Sequence, residues 1–229
     1  LFERTGRLME PSAPSLSRLL IPERALIFRI THVRNVPWIL RHGLACANGS
    51  VVDPDFVSIG NPDLIAKRPH RVVDIPPGGT LADYVPFYFT PRSPMLLNIK
   101  TGWGGVKQRP NEEVVILVAS LVTLTERGIP FVFSDRHAYM SLARFYSSLG
   151  ELDKIDFESL RRSDFARSPE EPEKFDRYQA EALVFGSLPV DALTGIACYT
   201  LGVKLELEAM ATEAGVASRI EVRDDWYFR

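Results

Sequence analysis

The chain has 229 residues, 45% of them hydrophobic and 24% charged, which is the composition of a soluble globular protein. Its formal net charge of −2 excludes broad electrostatic binding of duplex DNA, which requires a strongly basic face, but allows a narrow groove for a few nucleotides. Apolar runs stay below the roughly 18 residues of a membrane span, and two cysteines are too few for a disulfide framework, so we expect a cytoplasmic protein. We predict a flexible leader over residues 1–24, which lacks the apolar core of a signal peptide, and a single domain over residues 25–229.

The domain begins with a predicted strand over residues 25–31, which are rich in β-branched and aromatic side chains. Asn35 is a suitable N-cap and Gly43 stands where a helix ends, so we expect a short helix between them, with His32 at the junction of strand and helix. The next segment, residues 46–83, has little periodicity and many turn residues. Stretches of this length without regular elements are usually functional or disordered.

A local basic cluster lies at the end of this irregular segment and consists of Lys67, Arg68, His70 and Arg71. On its own this cluster also fits a basic loop that is merely solvated.

The middle of the chain alternates predicted strands and short helices. Residues 84–90 predict a strand in which Pro86 indicates an edge or a bulge, and residues 95–99 continue as a short helix or strand. Residues 114–123 predict a buried strand and residues 129–133 a shorter one.

Apolar side chains at helical spacing predict an amphipathic helix over residues 138–149, and the polar residues 163–179 predict a long loop. Three further strands are predicted over residues 182–185, 196–200 and 219–222, with a helix over residues 203–214. Because the helices are short and most strands are not followed by a full crossover helix, the pattern does not indicate a doubly wound parallel sheet. We predict a compact α+β fold with a mixed central sheet.

Common catalytic motifs are missing from the sequence. The glycines at 102, 104 and 105 lack the Gly-Lys-Ser/Thr ending of a phosphate-binding loop. The sequence also has no histidine pair at metal-binding spacing and no Gly-x-Ser-x-Gly elbow. We therefore expect neither a metal site nor a serine nucleophile.

Three short stretches carry residue types that suit a binding cleft. Thr31 and His32 form a polar pair at a strand end, the aromatic run 84–90 precedes Arg92, and Glu181 follows the loop 163–179 at the start of an apolar strand. A histidine can bind a ribose hydroxyl, aromatic rings can stack a flat ring while an arginine holds a phosphate, and a strand end positions a catalytic carboxylate. Each stretch alone also fits a structural histidine, an aromatic core strand or an exposed glutamate.

In order and spacing these stretches resemble the DarT family of DNA ADP-ribosyltransferase toxins. The matching strings are ITHVRN at residues 30–35, YVPFYFTPRSPML at residues 84–96 and QAE at residues 179–181. The resemblance implies an ADP-ribosyltransferase-like split mixed β-sheet with an NAD cleft and peripheral helices. It also implies NAD+ as co-substrate, a thymine base in single-stranded DNA as acceptor (guanine in a related branch), and a macrodomain-containing antitoxin as partner.

The resemblance also assigns roles to residues. It implies that Glu181 is the catalytic glutamate and that Arg71, with Arg68 as the alternative, is an essential arginine that also lies at the NAD site. The loop 163–179 would recognise the acceptor, and Lys67, Arg68 and His70 would contact DNA. The remaining positions expected to bind NAD+ are Thr31, His32, Val33, Gly43, Leu44, Tyr88 and Arg92.

The expected mechanism needs no metal. Cleavage of the nicotinamide–ribose bond develops positive charge on the ribose, which the Glu181 carboxylate would stabilise, while Arg71 would favour the deprotonated base. Two rival hypotheses stay open: an enzyme of the same fold that modifies protein or RNA, and a binding module with an inactive cleft.

Overall fold

A computed structural model describes residues 14–229, and the leader residues before them lie outside the described part. Ten strands form two sheets. Their bounds are β1 Leu26–His32, β2 Leu44–Ala45, β3 Tyr84–Tyr88, β4 Val114–Ser120, β5 Phe131–Ser134, β6 Phe145–Tyr146, β7 Glu181–Phe185, β8 Ser187–Leu188, β9 Gly195–Cys198 and β10 Ile220–Val222.

In the described part of the chain, eight α-helices surround the sheets, and most are short. Their bounds are α1 Leu16–Leu19, α2 Val36–His42, α3 Pro62–Lys67, α4 Pro94–Thr101, α5 Leu121–Glu126, α6 Phe157–Arg162, α7 Lys174–Arg177 and α8 Leu201–Glu213. No helix within residues 14–229 has the length and apolar character needed to cross a membrane.

The large sheet has eight strands in the order β10-β9-β4-β1-β3-β7-β5-β6, and a small sheet pairs β2 with β8. β9 and β10 are parallel while the other neighbours are antiparallel, so the predicted mixed α+β fold is confirmed. β1 pairs with β4 along its whole length but with β3 through the single residue pair Phe28–Tyr88. The sheet is therefore loosely joined at its centre, between β1 and β3.

The core lies around β4, in which all seven residues, VVILVAS, are buried. A strand buried on both faces reads as a continuous apolar run, which is why this element was predictable. The predicted strand 114–123 is three residues too long, because Ser120 accepts a hydrogen bond from the Val122 N–H and starts α5.

Two expectations for the chain differ from the structure. The side chains of Leu19 and Leu20 are buried in the main core, so ordered structure begins before residue 25. The helix predicted over residues 138–149 is wrong, because turns, the short strand β6 and a 3₁₀ helix occupy that stretch.

The irregular segment 46–83 contains one helix that the sequence analysis missed. The Asn61 side chain accepts hydrogen bonds from the N–H groups of Asp63 and Leu64 and so caps α3, and Pro62 occupies the first turn. An N-cap asparagine followed by proline is a recognisable start signal. Helix α3 continues into a 3₁₀ turn at Arg68–His70, from which Arg68 reaches Glu181 at the start of β7.

Gly43 ends α2 with a backbone φ of +75°, and a Cβ added there would lie 2.5 Å from the Leu188 carbonyl oxygen. We expect Gly43→Ala to lower the free energy of unfolding by about 2–3 kcal/mol, because backbone strain adds to this contact. Urea unfolding checks the value. Gly215→Ala is the matched control, since Gly215 has a φ of +67° and open space around it, and its cost should be near 1 kcal/mol. Equal losses in the two variants would contradict the role given to the Leu188 contact.

Candidate active site

A cavity of about 160 Å³ lies between the sheet strands β1, β3 and β7 and the segment that runs through α3. The segment 46–83, irregular in sequence, therefore forms one wall of the site. The cavity is lined by polar side chains from both walls, namely Arg29, Thr31, Arg68, Tyr88, His137 and Glu181.

Glu181 is the first residue of β7, and its side chain is 3% exposed. Its Oε2 accepts a hydrogen bond from Arg68 Nη1 at 3.0 Å, and its Oε1 accepts one from the Ala138 N–H at 3.1 Å. His137 Nδ1 lies 3.5 Å from the same Oε1. Burial by itself raises the pKa of Glu181, but the charges of Arg68 and His137 and these hydrogen bonds outweigh it and hold the pKa below its ordinary value. Glu181 is therefore ionised at neutral pH.

The two arginines of the basic cluster occupy different places. Arg68 binds Glu181, whereas Arg71 donates from Nε to the Ala138 carbonyl and from Nη2 to the Ala143 carbonyl, both at 3.2 Å. The Arg71 guanidinium also lies over the Phe145 ring. The structure thus brings the alternative arginine, Arg68, to Glu181 and uses Arg71 to hold the loop that follows β5.

Tyr88 lies directly opposite Glu181 in the β3–β7 register. Burial, followed by the charge of Glu181, raises the pKa of its phenol well above the ordinary value. The phenol is therefore protonated at physiological pH and can donate a hydrogen bond. Together with Thr31 it presents an aromatic and a hydroxyl surface inside the cavity.

His32 lies one residue beyond Thr31 but is not among the residues that line the cavity. Its Nδ1 accepts a hydrogen bond from the Arg34 N–H, and its Nε2 lies 3.2 Å from Glu113 Oε2. Arg109 donates to the same carboxylate oxygen at 2.9 Å. Since Nδ1 accepts a hydrogen bond, the Nε2 carries the proton and donates it to Glu113, which fixes the tautomer.

Burial lowers the pKa of His32 below the ordinary histidine value of about 6.5, despite the opposing effect of Glu113. The unfolded chain therefore binds more protons than the folded chain below about pH 6.5. The stability that neutral His32 contributes is present above this pH and is lost as the pH falls.

We expect the free energy of unfolding to decrease from pH 7 to pH 5. His32→Gln should remove part of this decrease and His70→Gln, at an exposed histidine, should retain it; urea unfolding at several pH values checks both. The same slope in all three proteins would contradict this assignment.

Other predicted site residues lie apart from the cavity. Gly43 and Leu44 lead into the small sheet, where Leu44 pairs with Leu188, and the Arg92 guanidinium lies over the Phe228 ring. Val33 begins the 3₁₀ turn after β1. None of these four is among the residues that line the cavity.

Of the residues expected to bind DNA, Lys67 and His70 are exposed beside the cavity wall. The Lys67 ammonium lies 5.8 Å from the centre of the Tyr139 ring. Cations and an aromatic ring thus lie together next to Arg68, an arrangement that suits a nucleic-acid strand.

Sequence reasoning missed two cavity residues, Arg29 and His137. Arg29 left a signal, because it is a cation that follows the apolar run Leu26–Phe28 inside a strand, and arginine is seldom buried without a partner. His137 follows β5 in a polar turn, and no local pattern distinguished it. Within residues 14–229, no cluster of three or more histidine, cysteine, aspartate or glutamate side chains is arranged to hold a metal ion.

Comparison with known proteins gives consistent matches along the chain. A family model described as "ssDNA thymidine ADP-ribosyltransferase, DarT" matches residues 28–228. A DNA ADP-ribosyl transferase of Escherichia coli O127:H6 (strain E2348/69 / EPEC) is 50% identical over 212 residues, which cover 93% of this chain and 97% of the relative. A second relative with the same description, from Thermus sp. (strain 2.9), is 39% identical over 90% of this chain and 98% of its own length.

Solved structures match as well. DarT of Thermus sp. 2.9 in complex with ADP-ribosylated ssDNA superposes with a TM-score of 0.83 at 38% identity, over 90% of this chain and 98% of that one. The same enzyme in complex with NAD+ gives a TM-score of 0.78 over 90% and 99% of the two chains. DarTG of Thermosipho africanus in complex with ADP-ribose gives 0.70 at 18% identity, over 89% of this chain and 51% of that one, which is a likeness of fold.

Proposed function

Because the chain belongs to the DarT family of DNA ADP-ribosyltransferases, we propose that it transfers ADP-ribose from NAD+ to a thymine base in single-stranded DNA. The observation that carries this proposal is the ion pair of Glu181 and Arg68 in the cavity at the edge of β7. Relatives solved with NAD+ and with ADP-ribosylated ssDNA support both substrates.

Glu181 would act on the sugar. Breaking the bond between nicotinamide and ribose leaves the anomeric carbon with the character of an oxocarbenium ion. An ionised, buried carboxylate stabilises such a charge better than a solvated one, since it does not have to reorganise during the reaction. The hydrogen bonds from Ala138 and Arg68 hold the carboxylate in one position.

Arg68 would act on the acceptor. In DNA the N1 of thymine is bonded to deoxyribose, so N3 is the ring nitrogen left to attack, and its lone pair is available once the N3 proton has left. A guanidinium is always protonated and is a poor general base. Its positive charge instead favours the deprotonated base and orients it toward the ribose.

The dinucleotide would enter the cavity with its nicotinamide ribose at Glu181 and extend past Thr31 along the end of β1. Tyr88 offers a protonated phenol and an aromatic face to this end of the substrate. His32 follows Thr31 at the end of β1, and Glu113 sets the position of its ring. In this proposal His32 contacts a ribose of NAD+.

Unrestrained modification of DNA would damage the cell that makes the enzyme. We therefore propose that the protein is the toxin of a toxin–antitoxin pair, that a macrodomain-containing antitoxin removes the ADP-ribose, and that the reaction takes place in the cytoplasm, where NAD+ and DNA meet. Growth arrest on expression, relieved by a coexpressed macrodomain hydrolase, is the expected result. Growth arrest that persists with the active hydrolase would contradict the pairing.

Mass spectrometry of short oligonucleotides tests the reaction itself. Incubation with NAD+ should add one ADP-ribosyl group to an oligonucleotide with a single thymine, and fragmentation should place it on that base. The same oligonucleotide with cytosine at that position is the control. Modification confined to RNA or to protein would favour the rival acceptors and overturn the proposed one.

A further inference from the structure

Arg29 introduces a second, half-buried cation into the cavity that holds Glu181. It lies in the middle of β1 and lines the cavity together with Arg68 and Glu181. Its Nη1 donates a hydrogen bond to the Pro86 carbonyl at 2.9 Å. The proposed reaction of Glu181 and Arg68 gives Arg29 no role.

The two guanidinium groups have more N–H donors than their surroundings accept. Arg29 Nε and Arg68 Nη2 are buried without a hydrogen-bond partner among the described residues. Buried donors without acceptors are rare and costly, so a polar ligand in the cavity is expected to supply acceptors.

The charges in the cavity are also unbalanced. Arg29 and Arg68 face one carboxylate, Glu181, among the residues that line it. Burial and the neighbouring Arg68 lower the pKa of Arg29 to about 10, so Arg29 is still a cation at neutral pH. A buried charge without a counterion is unfavourable, which indicates that the occupant of this part of the cavity carries or develops negative charge.

Among the reacting groups, the acceptor base meets this requirement. The nicotinamide ring of NAD+ is positively charged until it leaves, so a cation beside it opposes binding. Thymine that loses its N3 proton spreads the negative charge over O2 and O4, two acceptors on either side of N3. Cytosine carries an amino donor in place of O4, which would face the guanidinium donors and lose a hydrogen bond.

We propose that Arg29 is a second residue of the acceptor site, which with Arg68 binds the carbonyl oxygens beside N3 of thymine, stabilises the N3 anion and disfavours cytosine. This inference rests on the proposed function. In the step it assists, the N3–H bond breaks and the proton leaves to water. N3 then bonds to the anomeric carbon while the bond to nicotinamide breaks, and nicotinamide departs as a neutral molecule with the electron pair.

The test compares Arg29→Met and Arg29→Lys with the wild type on two oligonucleotides that contain a single thymine or a single 5-bromouracil. Bromine is close to a methyl group in size but makes N3 more acidic, so the bromouracil needs less help from a cation. We expect Arg29→Met to lower kcat for thymine by roughly 10–100-fold, as for a lost charge-assisted hydrogen bond in a transition state, and by a clearly smaller factor for 5-bromouracil. Arg29→Lys keeps the positive charge, so its ratio of kcat for thymine to kcat for 5-bromouracil should stay near that of the wild type.

Binding of carba-NAD+, an NAD+ analogue, separates the acceptor role from a role at the NAD site. Its Kd should be unchanged in Arg29→Met and in the control Arg41→Met, whose side chain is exposed on α2 and pairs with Glu213. Equal losses of kcat on both bases, or a weakened Kd, would overturn the inference even if the wild type modifies thymine. A wild type that leaves thymine unmodified would instead overturn the proposed function, and the inference with it.

Discussion

Glu181→Gln should slow ADP-ribose transfer by roughly 10²–10³-fold, or about 3–4 kcal/mol of transition-state stabilisation, the loss typical of one preorganised electrostatic group. Glutamine has the size of glutamate and can still accept the hydrogen bond from the Ala138 N–H, so the loop and the cavity should persist. What disappears is the negative charge beside the developing sugar cation. The effect should fall on kcat, because the charge is required in the transition state more than in the bound ground state.

Single-turnover release of nicotinamide in the presence of a thymine oligonucleotide measures this loss. Glu112→Gln serves as the control, since Glu112 is exposed in the turn before β4, and its rate should equal that of the wild type. The thermal midpoint of both variants reports folding. A Glu181→Gln protein that is folded and retains more than about a tenth of the wild-type rate, well above the residual activity expected for such a group, would contradict the role of Glu181.

Arg68→Met has the second large expected effect. The substitution removes the cation that pairs with the buried Glu181. Because burial disfavours an unpaired carboxylate, the pKa of Glu181 should rise. In the wild type the pKa of Glu181 is lowered, so the active carboxylate persists down to acidic pH. In Arg68→Met the acid limb of the pH–rate profile should move to higher pH, and the maximal rate should fall by about 10²-fold if Arg68 also stabilises the base anion.

Arg71→Met is the matched control for this result, because Arg71 binds the carbonyls of Ala138 and Ala143 rather than Glu181. It should lower the thermal midpoint while its acid limb stays where the wild type has it. If Arg71→Met shifted the acid limb and Arg68→Met did not, the two arginines would have to exchange roles.

Several elements were predictable because local pattern and burial agree. The apolar run of β4 gave a strand, and Gly43 marked the end of α2, which the structure places at Val36–His42. Asn35 precedes this helix, but its side chain binds Thr31 and Val57 instead of capping it. The helix predicted over residues 138–149 failed for a reason that concerns the site. The N–H of Ala138 binds Glu181, and the carbonyls of Ala138 and Ala143 bind Arg71, so backbone groups that a helix would use fix the loop beside Glu181 instead.

The site itself was predictable in part. Glu181 stood out as a carboxylate at a strand start, and its strand does begin there. The sequence did not decide which arginine pairs with Glu181. Arg68 and Arg71 are three residues apart, and the way α3 ends determines which of their side chains points to Glu181. Arg29 and His137 could not be assigned from sequence, since their proximity to Glu181 depends on strand order and on the turn after β5.

A double-mutant cycle of Glu181→Gln and Arg68→Met, read as kcat/KM for a thymine oligonucleotide, is the most direct measurement of whether the carboxylate and the guanidinium act as one unit. If they do, kcat/KM of the double variant should lie within about threefold of that of the slower single variant, because the effects of substituting residues that work together are strongly non-additive. Effects that multiply, so that the double variant loses the product of the two single losses, would contradict the account.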